Sequence, residues 1–80
     1  MTEQELKVGT VIEHKDKTTK GIYPHDGIYV VVSVKGRMKM DGTWVDSISY
    51  MSFKDYEEEI EEPVIYTREK SSFLNEFIKK

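Results

Sequence analysis

The sequence predicts a small, mainly β domain, a curled antiparallel sheet of about five strands with a short C-terminal helix. Three observations predict it. Gly27 to Val34 (Gly-Ile-Tyr-Val-Val-Val-Ser-Val) is apolar enough to be buried on both faces, and its β-branched and aromatic residues favour an extended backbone. Turn signals recur every eight to ten residues, among them Pro24 to Gly27 and Asp41-Gly42. The end of the chain places Phe73, Leu74, Phe77 and Ile78 at the spacing of an apolar helical stripe. At 80 residues the chain forms a single domain that buries about 60–65 % of its unfolded surface, so its core is one thin layer. These features fit an SH3-like barrel, with an OB-like barrel as the alternative.

Residues 1–5 are polar and are expected to be a disordered tail, with too little burial to offset the entropy of ordering. Lys7 to His14 alternates imperfectly and reads as the first strand, with Gly9 marking a bulge or close approach. The next seven residues, Lys15 to Gly21, contain no apolar side chain and read as an exposed basic loop. Ile22-Tyr23 can pair briefly before the turn that feeds the central strand. Lys35-Gly36 reads as a further turn. Arg37-Met38-Lys39-Met40 then reads as one side of an edge hairpin with both methionines inward and a type I′ turn at Asp41-Gly42. Thr43 to Phe53 is β-like, but Trp44, Ile48 and Tyr50 share one parity and Val45, Met51 and Phe53 the other, which predicts a bulge or bend near Asp46 to Ser49.

Lys54 to Glu62 is acidic; the i, i+4 spacing of Tyr56 and Ile60 allows one turn of helix, but adjacent glutamates weaken it, and a mobile loop is expected. Val64 to Thr67 reads as the last strand. Residues 71–80 read as a helix with a serine cap at its start and lysines at its end, too short to form unless it docks.

Composition, 38 % apolar and 34 % charged, is that of a soluble globular chain, and no apolar run approaches the roughly 18 residues of a membrane span. Residues 1–5 read as no signal peptide and there is no cysteine, so a reducing cytoplasm is the expected compartment. The net charge of −3 is unevenly distributed. Lys15, Lys17, Lys20, Lys35, Arg37 and Lys39 oppose only Asp16 and Asp26 within residues 14–39, whereas Asp55, Glu57, Glu58, Glu59, Glu61 and Glu62 stand without a base in residues 55–62. Charge placed this way either is simply solvated or orients the encounter with a charged partner.

Val8-Gly9-Thr10 with His14-Lys15, Gly27 to Val31, Trp44-Val45 with Tyr50, and Ile65 to Arg68 leading to Phe73 and Phe77 together resemble a group of small uncharacterised phage and bacterial proteins. The resemblance spans most of residues 7–78. It implies an SH3-like fold and a phage-associated origin, hence a host cytoplasm, and it carries over no catalytic residue. The chain departs from the pattern in its Lys17 to His25 insertion and its acidic Asp55 to Glu62 segment.

No catalytic motif stands out: there is no glycine-rich phosphate loop, no H-E-x-x-H and no recognisable nucleophile, so no enzyme and no cofactor are expected. His14, His25 and Asp26 are conceivable metal ligands without any ligand spacing. Arg68 closes a strand, where a guanidinium either reads an anion or pairs with an acid such as Asp46 or Glu69. The expected function is a non-enzymatic accessory protein, a monomer or weak homodimer, that binds a protein partner through Asp55, Glu57, Glu58, Glu59, Glu61 and Glu62. The alternative is nucleic-acid or nucleotide binding through Lys15, Lys17, Lys20, Arg37 and Lys39, with Trp44, Tyr23 or Tyr29 as a stacking surface.

Overall fold

The computed structural model describes residues 1–15 and 27–80. The expected basic loop beyond Lys15, Ile22-Tyr23, and the turn up to Asp26 lie outside the described residues. Among the described residues, five antiparallel strands form one sheet: β1 (Val11–His14), β2 (Ile28–Met40), β3 (Thr43–Ser52), β4 (Tyr66–Glu69) and β5 (Phe77–Lys79), in the order β4-β3-β2-β1-β5. Two short helices, α1 (Phe53–Glu58) and α2 (Lys70–Glu76), follow β3 and β4.

The central position expected of Gly27 to Val34 holds, and β2 runs further. Tyr29 and Val31 enter the main core, while Val30, fully buried, faces the other side of the sheet between Val11 and Met51. The main core joins Ile12, Tyr29, Val31, Ile48 and Tyr50 of the sheet to Phe73 of α2 and Phe77 of β5. The sheet curls, so rings from both end strands meet in it: Tyr66 of β4 and Phe77 of β5 each make edge contacts with Tyr29, at 5.7 and 5.9 Å between centroids. Phe73 and Phe77 stack at 4.6 Å and are essentially inaccessible to solvent. Burying rings of this size contributes about 2–3 kcal/mol each, a large share for a core one layer deep.

Several expectations are corrected. Lys35-Gly36 is not a turn: β2 passes straight through it and pairs with β3 as far as Met40↔Thr43. The register slips lie on β2, between Val31 and Ser33 and between Ser33 and Gly36, whereas β3 is one unbroken strand through Asp46 to Ser49. The change of parity in β3 has a different cause, since its second half is buried on both faces, Ile48 and Tyr50 on the core side and Ser47, Met51 and Ser52 also shielded. The turn at Asp41-Gly42 is as expected, with φ of 50° and 81°, the left-handed pair a type I′ turn needs. Met40, however, is 40 % exposed rather than inward.

The first strand is shorter than Lys7 to His14, because Lys7 to Thr10 forms a turn around Gly9, with the Thr10 amide donating to the Lys7 carbonyl. Residues 1–5 are placed rather than disordered. They make one 3-10 turn (Glu3–Glu5), Met1 packs against the core, its amine donates to the Leu74 carbonyl at 3.0 Å, and Glu3 pairs with Lys70 at 2.6 Å. Val64 and Ile65 are 61 % and 49 % exposed, and the strand expected there begins at Tyr66. The terminal helix covers Lys70–Glu76 rather than 71–80, capped by the Glu69 carboxylate, which accepts from the Ser71 amide. Phe77 to Lys79 leaves the helix to pair with β1, through His14↔Phe77, Glu13↔Ile78 and Ile12↔Lys79.

Candidate functional site

The first part of the acidic segment is the helix α1, through Glu58, where a loop was the expectation, and Glu59 to Glu62 follow it outside the helix. Ser52 is its N-cap, its hydroxyl accepting from the Asp55 amide at 3.1 Å. Asp55 sits in the first turn, where the helix dipole favours negative charge. Glu59 ends the helix in the left-handed region, at φ 51° and ψ 44°, and its amide closes on Tyr56 and Asp55 carbonyls. The apolar residues of the segment, Tyr56 and Ile60, stand at the i, i+4 spacing of a helical turn. Tyr56 and Ile60, 49 % and 40 % exposed, line a groove of about 490 Å³ whose lining also includes the buried Met51 and the carboxylates of Asp55, Glu57 and Glu59. The Ser-x-x-Asp spacing of Ser52 and Asp55 is the sequence signal that would have marked this helix start. Glu58, Glu61 and Glu62 are exposed on the same segment.

The basic residues split between two ends of the sheet. Arg37 and Lys39 lie on the arm formed by the far ends of β2 and β3, where the register sets Lys39 opposite Trp44 and Arg37 opposite Asp46. Arg37 and Asp46 form an exposed ion pair at 3.6 Å. Trp44 is 60 % exposed, so it belongs to neither core nor sheet interior. Lys15 follows β1 at the opposite end of β2, beyond the Glu13↔Ile28 pair, and does not join the arm. Lys17 and Lys20 lie outside the described residues. Of the other proposed stacking rings, Tyr29 is buried among Tyr50, Tyr66 and Phe77 and so cannot meet a base, and Tyr23 lies outside the described residues.

Arg68 pairs with Glu76, not with Asp46 or Glu69, and its guanidinium stands 5.4 Å from the Phe77 ring centroid. His14 Nε2 approaches the same Glu76 carboxylate at 3.7 Å, and its ring meets Phe77 edge-on. The Glu76 carbonyl also accepts from the Lys15 amide at 2.9 Å. Glu76 thus ties β4, α2 and β1 together over one end of the core, with Arg68 as its partner from β4. Of the conceivable metal ligands, His14 is in this network, and His25 and Asp26 lie outside the described residues. Among the described residues no group of three or more metal-ligating side chains comes together, and no helix is long and apolar enough to cross a membrane.

Comparison with protein-family models, with curated proteins and with solved structures found no match to this chain. The functional reading therefore rests on its own surfaces.

Proposed function

We propose that this chain is a small non-enzymatic interaction domain whose acidic end, α1 and the residues after it, receives a protein partner. The observation that carries the reading is the groove in which Met51, Tyr56 and Ile60 stand together with Asp55, Glu57 and Glu59. Apolar and aromatic surface supplies the desolvated centre an interface needs, and carboxylates around it select and steer a basic partner. Glu58, Glu61 and Glu62 extend the same field outward. Clustered carboxylates imitate phosphate, which favours a partner that itself binds nucleic acid. The resemblance to small phage and bacterial proteins would place that partner in a host cytoplasm.

Capture of proteins from a bacterial lysate by the wild-type chain, compared with a variant carrying Asp55→Asn and Gln at Glu57, Glu58, Glu59, Glu61 and Glu62, tests the reading. Proteins retained by the wild type at low salt should be released by salt and absent with the variant. Equal capture by both would remove the acidic end from consideration.

A second reading is favoured by one observation, the cross-strand pairing of Lys39 with Trp44, which puts a cation beside an exposed indole as single-stranded nucleic-acid surfaces do. It predicts micromolar binding to a short oligonucleotide with a steep salt slope and a change in Trp44 fluorescence. Absence of binding at low salt would dispose of it.

A further inference from the structure

The arm and the groove lie at opposite ends of the same strand pair. Thr43 to Ser52 runs without a break from the arm to the first residue of α1, a span of about 30 Å in extended chain, close to the molecule's longest dimension of 34 Å. The arm therefore cannot reach its own groove. The two ends are nonetheless complementary. The arm offers Arg37 and Lys39 with the exposed indole of Trp44 on the same face, Lys35 nearby, while Met40, paired with Thr43, lies on the other face. The groove offers Asp55, Glu57 and Glu59 with Tyr56, Ile60 and Met51. An indole has about 150–250 Å² to bury, and the open groove presents Tyr56 and Ile60 for it to cover.

We infer that the partner of the acidic groove is a second copy of this chain, laid antiparallel so that each arm seats Trp44 in the other's groove while Lys35 and Lys39 meet its carboxylates. The inference rests on the reading of the acidic end as a protein-binding surface and names its occupant. Where both contacts form reciprocally the assembly is a closed two-fold dimer, whereas a contact made one way only would propagate head to tail and sediment as larger species. Arg37 is already engaged by Asp46, an exposed and hence weak pair that can be exchanged for a groove carboxylate at little cost.

The test is sedimentation velocity over a hundredfold range of protein concentration at low and high salt, on the wild type and two variants. One variant reverses the arm with Arg37→Glu, Lys39→Glu and Trp44→Ser. The other neutralises the groove with Asp55→Asn, Glu57→Gln, Glu59→Gln and Ile60→Ser. Circular dichroism establishes that each is folded, and all seven positions are exposed or at the surface. The wild type should pass from monomer to dimer with concentration, the dimer should be lost at high salt, and each variant alone should stay monomeric. An equimolar mixture of the two variants retains one intact arm facing one intact groove and should form a one-to-one complex, weaker than the wild-type dimer. A wild type that is monomeric throughout overturns the inference, and so does a dimer that survives in both variants. If the wild type is monomeric while lysate capture still depends on the carboxylates, the groove has another occupant and the broader reading stands. If the carboxylates affect neither experiment, both fall.

Discussion

Substituting Gly36 by alanine tests the β2–β3 register where it is least regular. Gly36 pairs with Ser47 just beyond the second slip in β2, and a methyl group there would stand 2.6 Å from Ser47 Oγ and 3.4 Å from the Ser47 carbonyl oxygen. Ser47 is only 2 % exposed, so its hydroxyl must rotate into occupied space or the strands must part. Overpacking of this kind costs about 1–3 kcal/mol. For a domain of this size each kcal/mol moves the midpoint by about 4–8 °C, so Gly36→Ala should melt on the order of 10 °C lower. Ser47→Ala removes the atom that is struck and by itself should cost about 1 kcal/mol or less. The double variant should then be more stable than the two single losses predict, by a coupling of about 1 kcal/mol. Urea titrations followed by circular dichroism measure all four corners of the cycle. Were Gly36 a turn glycine held in a left-handed conformation, changing Ser47 would rescue nothing. Strictly additive losses, or a Gly36→Ala chain as stable as the wild type, would refute the close approach of these two strands.

Phe73→Ala or Phe77→Ala should cost about 3–5 kcal/mol, enough to leave a domain this small largely unfolded at room temperature, as near-ultraviolet circular dichroism would show. Trp44→Ala should leave the melting temperature within about 1–3 °C of wild type, because the indole lies outside the core, and a large loss of stability would mean that it packs on something. The Glu3 carboxyl is held below its ordinary value of 4.5 by its hydrogen bond to Lys70, and Lys70 is raised above 10.5 by the same partner. Stability from Glu3 is therefore complete above about pH 4.5 and is lost as the pH falls through the lower folded value, while that from Lys70 is lost as the pH rises beyond 10.5. Lys70→Met should flatten both limbs of a plot of melting temperature against pH, and unchanged limbs would mean that the pair contributes nothing.

What could be read from the sequence was whatever depends on a residue and its near neighbours. Tyr29 and Val31 declared the central strand through their own shape, Asp41-Gly42 declared its turn, and Phe73 and Phe77 declared themselves buried by their spacing. What was misread depends on partners far along the chain. Phe77 continues a helical stripe, yet the unpaired edge of β1 at Ile12 to His14 offers its backbone a ladder, and no local pattern announces that. Residues 1–5 looked too polar to be ordered because Leu74 and Lys70, which hold them, come about seventy residues later. The parity change in β3 mimics a bend because its second half is buried on both faces, and α1 forms despite repulsion among glutamates because Ser52 caps it. Of the candidate site, the acidic residues are legible in the sequence, but the groove that brings Asp55, Glu57 and Glu59 together is not, since Met51 reaches it from another element.

The stacked pair of Phe73 and Phe77 has a consequence for how the chain is made. A ribosome delivers β1, β2 and β3 first, with Ile12, Tyr29 and Tyr50 already translated and nothing to close over them. The rings that complete their enclosure, and the strand that covers the free side of β1, are the last parts of the domain to emerge. Native structure is thus acquired only once the segment from Phe73 to Lys79 has left the tunnel. Until then the nascent sheet displays its sticky inner surface to whatever chaperone waits at the tunnel mouth.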